Sequence, residues 1–284
     1  MFGCRDEQLV GILHAPAAAS ETAVIIIVGG PQYRVGSHRQ FVHLGRSLAA
    51  SGYPVLRFDY RGMGDSTGAT RDFEHVSDDI ATAIDTLQQR LPQVERVVLW
   101  GLCDGASAAL MYCDERPDPR VHGLCLLNPW VRSAASMVAT QLKHYYTRRL
   151  LTPAFWAKLF RGKVARDAFI ELARKILTAI RSKGSAGVPA TGSGPASFQE
   201  RMAKGWRHAS SRILLILSGN DYTAQEFVQY TAADKTWRAL LAQPGLRRHT
   251  VAGADHTFSD EVSRLMAERL TLDWLEVECS TVRA

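Results

Sequence analysis

Short apolar runs recur along the chain at residues 23–28, 54–58, 97–100, 121–127 and 213–217, each bounded by Gly, Pro, Asn or Asp. None alternates with polar residues, which is the pattern of strands covered on both faces. Between the runs, residues 38–51, 73–91 and 103–115 place apolar side chains three and four apart, the period of a helix with one buried face. Strand and helix in alternation predict βαβ units and a mainly parallel sheet, an α/β fold. Residues 9–13 predict an antiparallel edge strand, residues 248–251 a last strand, and residues 261–277 a closing amphipathic helix.

The rhythm breaks after Asn128-Pro129-Trp130 and resumes at Ile213. Residues 166–183 gather Phe169, Leu172, Ala173, Ile176, Leu177 and Ile180 on one face, so a helix is expected there. Residues 184–197 have no charge and no large side chain except Val188, and predict a loop. The expected organisation is a core over residues 1–130, an inserted helical cap over 131–208, and a second part of the core over 209–284. Charge sharpens this division. From Arg132 to Arg207 fifteen Lys and Arg face three acids, a net +12, so the rest of the chain carries −6 of the total +6.

The composition, 46% hydrophobic and 22% charged, is that of a globular chain. No run approaches the roughly 18 apolar residues of a membrane span. The start, residues 1–6, lacks the basic flank and apolar stretch of a signal peptide, so the expected location is cytoplasmic. Five widely spaced cysteines without a C-x-x-C pair argue against a disulfide framework and a zinc site. No metal and no organic cofactor is expected. The basic residues concentrate in one segment without a recognition motif, so nucleic acid is not an expected partner.

Gly101-Leu102-Cys103-Asp104-Gly105 follows a predicted strand and opens a predicted helix. A nucleophile on such a turn needs small residues two positions either side so that neighbouring chains can approach, and Gly101 and Gly105 supply them. At a helix N-terminus the dipole and free N–H groups favour a thiolate at Cys103, and the Asp104 N–H is a donor to an oxyanion. A buried structural cysteine is the competing interpretation, and it is the partners that decide. Asp221 follows the strand at 213–217, and His256 lies in the loop after the strand at 248–251. Nucleophile, acid and base then stand in one order, each where a parallel strand ends.

In these features the sequence resembles the α/β-hydrolase superfamily over nearly its whole length. The resemblance extends to residues 58–66 (FDYRGMGDS), similar to a D-x-R-G-x-G-x-S stretch of that superfamily, in which Asp59 and Arg61 are taken to organise loops. Residues 28–39 (VGGPQYRVGSHR), 100–105 and 128–130 look like the hydrolase 1 proteins associated with exosortase A systems, which implies a setting of exopolysaccharide production and protein sorting.

The resemblance implies an α/β-hydrolase fold and a catalytic set of Cys103, His256 and Asp221. Many relatives have His-Gly after the third strand, whereas Gly29-Gly30 here precedes Pro31, which has no N–H. The second oxyanion donor is then Gly30 or Gln32, beside Asp104.

A cysteine nucleophile forms a thioester that water, an alcohol, an amine or a thiol can take up. The leading expectation is cleavage of an ester or thioester; the alternatives are acyl transfer by the same residues and a non-catalytic binding protein on the same fold. Trp130, Tyr145, Tyr146 and Trp156, at the start of the basic insertion, are candidates to line the substrate entrance. The charge of that insertion suits an acyl group on an anionic carrier such as coenzyme A or an acyl carrier protein, or an anionic membrane surface.

Overall fold

The apolar runs become strands: β1 Phe2–Cys4, β2 Glu7–His14, β3 Thr22–Ile27, β4 Val55–Asp59, β5 Arg96–Leu102, β6 Val121–Leu127, β7 Ile213–Ser218 and β8 Leu246–Val251. The computed structural model describes residues 1–18, 20–30, 32–132, 196–209 and 212–280, and among these the eight strands make one sheet in the order β1-β2-β4-β3-β5-β6-β7-β8. Only β2 runs against the others; every remaining neighbouring pair is parallel. Every residue of β3, β4 and β7 is buried, which explains why their sequences do not alternate.

The strand expected at residues 9–13 is antiparallel but stands one place in from the edge, because β1 pairs outside it. Three residues are too few to show a period; Phe2 of β1 packs its ring, tilted, against Phe58 with centroids 6.3 Å apart.

The helices are α1 Gln40–Ala50, α2 Ser77–Arg90, α3 Asp104–Glu115, α4 Phe198–His208, α5 Tyr222–Ala233, α6 Lys235–Leu241 and α7 Glu261–Ser280. α1 starts two residues later than the apolar period suggests, since His38 and Arg39 have left-handed backbones in a 3-10 turn before it. α3 is buried on nearly every side, from Gly105 to Cys113, and sits between the sheet and α4. The approach of α4 is possible because of Gly205, where any Cβ would collide with the Leu110 carbonyl oxygen. Trp206 of α4 then meets Trp237 of α6 edge-on, and Phe227 of α5 closes the cluster.

Residues 1–131 and 196–284 form one compact unit. α4, which the sequence analysis assigned to the insertion, therefore packs within the same unit as the sheet. An amphipathic helix shows in its sequence that one face is covered, and not what covers it. A capping box between Ser197 and Glu200 fixes its start, and the Gln199 side chain donates a hydrogen bond to the Val131 carbonyl at 3.1 Å. The helix expected over residues 166–183 and most of the loop expected over 184–197 lie outside the described residues. No helix among the described residues is long and apolar enough to cross a membrane.

Candidate active site

The sheet register brings the candidate residues to one edge. Ile27 pairs with Gly101, Leu102 with Leu127, Leu127 with Ile216, and Ser218 with Val251, so β3, β5, β6, β7 and β8 all release their loops at the same level. Ligand sites of parallel sheets lie at this carboxyl edge.

Cys103 occupies the sharp turn between β5 and α3, with φ 60° and ψ −125°. That region is sparsely populated by residues with a Cβ and costs on the order of 1–3 kcal/mol, so the surroundings must enforce it. They do so by close packing. A Cβ on Gly101 would strike the backbone of Gly105, one on Gly105 would strike the Ile27 carbonyl oxygen, and one on Gly29 the Leu102 carbonyl oxygen. The Cys103 N–H donates to the Leu127 carbonyl at 2.9 Å, which ties the turn to β6.

Cys103 is partly exposed, unlike the other described thiols. Burial pushes Cys113 up to about 12 and raises Cys125 and Cys4 as well, so those three stay protonated and inert.

His256 Nδ1 lies 3.0 Å from Asp221 Oδ2, and the His256 ring also hydrogen-bonds the Cys103 side chain. The bond to Asp221 and then the bond to Cys103 push the imidazole up to about 10, against partial burial that works the other way. Asp221 is itself nearly buried and caps α5, accepting N–H groups from Thr223 at 3.2 Å and Ala224 at 3.0 Å. Burial would raise its carboxyl; the bonds from His256 and those amides outweigh burial and hold it below the usual range. Asp221, His256 and Cys103 thus form one chain of side chains in which the imidazole can pass a proton to or from sulfur. Asp255, the neighbouring carboxylate, instead closes its own loop on Ser259 and Thr257.

The oxyanion side is built differently. The backbone N–H groups of Gly30, Asp104 and Gly105 face the Asp104 carboxyl, which lies against Gly29. Burial pushes this carboxyl above its ordinary range, offset in part by those amides. Its Oδ1 is buried without a hydrogen-bond partner among the described residues. Of the two candidates for the second donor, Gly30 has its N–H facing the Asp104 carboxyl, and the Gln32 side chain accepts from Ser37 N at 3.2 Å. The loop carrying both is moored by Asp59, fully buried, which accepts from Arg34 N at 2.6 Å and from its guanidinium, and from Asp65 N at 3.1 Å. Arg61 is clamped by Asp79 at 2.7 Å, so both residues of that motif organise loops.

Trp130 stands beside Cys103 through its backbone: its N–H donates to the Cys103 carbonyl at 3.3 Å and its carbonyl accepts from Ser107 Oγ at 2.7 Å. Tyr145, Tyr146 and Trp156 lie outside the described residues. Sequence reasoning counted only the Asp104 N–H and missed its carboxyl, since the direction of a side chain at a turn leaves no mark on periodicity. No cluster of metal-ligating side chains occurs among the described residues.

Sheet order, strained turn and convergent loops define an α/β-hydrolase. A family model described as serine aminopeptidase, S33, matches residues 19–221, more than half of the chain, and the protein belongs to that hydrolase family. The family is described as serine-type, and the strained turn between β5 and α3 here carries Cys103. No curated protein matches the chain in sequence.

Solved structures share the fold at low identity. An esterase of Pyrococcus furiosus, Pf2001, aligns at 17% identity with a TM-score of 0.60, over 98% of this chain and 89% of its own. Est1E from Butyrivibrio proteoclasticus, with ferulic acid bound, aligns at 16% and 0.57, over 97% and 98%. An alpha-beta serine hydrolase homologue from Coxiella burnetii aligns at 15% and 0.54, over 95% and 93%.

Proposed function

We propose that this protein is a cysteine-nucleophile hydrolase that cleaves an ester or thioester through a covalent acyl-enzyme on Cys103. The observation that carries this is the His256 ring, bonded to Asp221 on one side and to a partly exposed Cys103 on a strained turn on the other. The Cys103 sulfur attacks the acyl carbon, forming a C–S bond while the carbonyl oxygen becomes an oxyanion beside the N–H groups of Asp104 and Gly30. The intermediate collapses, the bond to the leaving alkoxide or thiolate breaks, and imidazolium His256 gives the leaving atom its proton. Water then loses a proton to His256 and attacks the thioester, releasing the acid and restoring the thiol. Asp221 holds the ring in place and stabilises its charged form. The Pyrococcus furiosus neighbour, described as an esterase, supports the ester substrate class.

The test is intact mass after exposure to a panel of acyl esters and acyl thioesters. An adduct mapping to Cys103, absent in Cys103→Ala, supports the mechanism, and labelling that maps to another thiol overturns it. If the adduct is released faster by an alcohol or amine than by water, the same residues perform acyl transfer. A folded protein whose Cys103 resists both substrates and alkylation is the non-catalytic alternative.

The acyl group is further proposed to arrive on an anionic carrier, coenzyme A or an acyl carrier protein, or at an anionic membrane, because the +12 segment from Arg132 to Arg207 steers such partners. A cytoplasmic role beside an exosortase system, suggested by the motifs at residues 28–39 and 128–130, fits that chemistry. Added salt should lower kcat/KM steeply for a carrier-linked thioester and leave a neutral ester unaffected, with Arg148→Glu plus Arg149→Glu giving the same loss. Equal, flat responses overturn the carrier.

A further inference from the structure

Asn128 follows the last residue of β6 with φ 44°, a left-handed backbone, and is fully buried. Asn is among the few residues with a side chain that tolerate this conformation. Its own N–H donates to the Ile216 carbonyl at 3.1 Å, so the main chain is already satisfied by β7. The carboxamide is spent on something else. Oδ1 accepts from Ser218 N at 2.8 Å, while Nδ2 donates to Ser218 Oγ at 2.7 Å and to the main-chain carbonyl of His256 at 3.2 Å. Ser218 Oγ in turn donates to the Asp255 carbonyl at 2.8 Å. Reversing the amide would set an NH₂ against the Ser218 N–H, so the network fixes its orientation.

Two successive carbonyls of the base-carrying loop are therefore held from inside the sheet, one by Asn128 and one through Ser218. The ladder between β6 and β7 does not need this bridge, since Leu127 pairs with Ile216 without it. β8 pairs with β7 and not with β6, so Asn128 reaches past an intervening strand to the loop beyond. We propose that Asn128, with Ser218 as relay, is a positioning residue for His256: it fixes the peptide from which the imidazole projects between Asp221 and Cys103. The proposal rests on the catalytic reading above for its kinetic consequence, and on geometry alone for its structural one.

Asn128→Gly separates the two contributions, because glycine keeps the left-handed backbone and loses the carboxamide. The probes are the low-field Nδ1 proton of His256 in the bond to Asp221, read by NMR, and the single-turnover acylation rate with p-nitrophenyl acetate. Loss or broadening of the low-field signal is expected, with a rate lowered by about 10- to 100-fold at unchanged KM, the scale of misplaced general-base catalysis. Ser218→Ala should show the same changes to a smaller degree, and it carries the test if the glycine variant does not fold. A sharp low-field signal and a rate within about twofold of the parent overturn the proposal, whatever the melting temperature does. If the parent itself shows no acylation of Cys103, the catalytic reading falls, and the NMR signal alone still decides the role of Asn128.

Discussion

The two sides of the candidate site are finished to different degrees. On the acid–base side, Asp221 spends both oxygens on bonds, His256 is held at its ring and its carbonyl, and Asn128 and Ser218 lock the loop beneath. On the oxyanion side, three amides face a carboxyl of the protein's own, and one oxygen of that carboxyl is buried without a partner. Groups prepared in advance cost no reorganisation when the reaction occurs, whereas a buried polar atom left unpaired costs free energy until something changes. On the mechanism proposed above, His256 already stands in place for its role, whereas the N–H groups proposed to hold the oxyanion also face the Asp104 carboxyl. The effect of that carboxyl on the rate is therefore what distinguishes the two sides.

The largest effect expected from breaking the finished side is that of His256→Ala, which should slow acylation of Cys103 by roughly 10²-fold or more in single-turnover measurements. Asp221→Asn should cost roughly 10²- to 10⁴-fold. A rate unchanged by either substitution would mean that the imidazole takes no part.

Next comes the unfinished side. Asp104→Ala removes the carboxyl and leaves all three amides, so acylation should speed up by about tenfold in a burst assay. A slower burst would show that the carboxyl supports the site instead of obstructing it.

The smallest effect expected is on stability. Folded His256 keeps its proton up to about 10 against an ordinary 6.5, so the folded chain binds a proton that the unfolded chain has lost between those values. The contribution is complete below pH 6.5 and disappears as the pH rises through 10. With the ring 34% exposed, screening reduces it to about 1–2 kcal/mol. Melting curves of the parent and His256→Ala should converge over that range, and parallel curves would refute the pairing with Asp221.

Much of the fold was legible because burial on both faces leaves a plain record: 121–127 were read as a strand to the residue, and β3, β4 and β7 to within one residue at each end. The turn at Cys103 was legible because close packing demands glycines at fixed offsets, and Gly101 and Gly105 are those glycines. α5 and α6 were not read. α5 buries only Thr223, Ala224, Phe227 and Thr231, a stripe too thin and too polar to announce a helix. The Asp104 carboxyl and the reach of Asn128 were also out of range of the sequence, for a different reason. Both depend on which segments become neighbours, and a one-dimensional pattern records that a residue is covered without recording by what.

The bond from Gln199 to the Val131 carbonyl joins the two points where the chain leaves and rejoins the core. The two points are thus held together from within the core, whatever chain runs between them. For a flexible loop closed at its base, each doubling of length adds only about 0.6 kcal/mol to the closure cost. Changes in the number of residues between Val131 and Gln199 should therefore cost the core little, which denaturant melts of length variants would check.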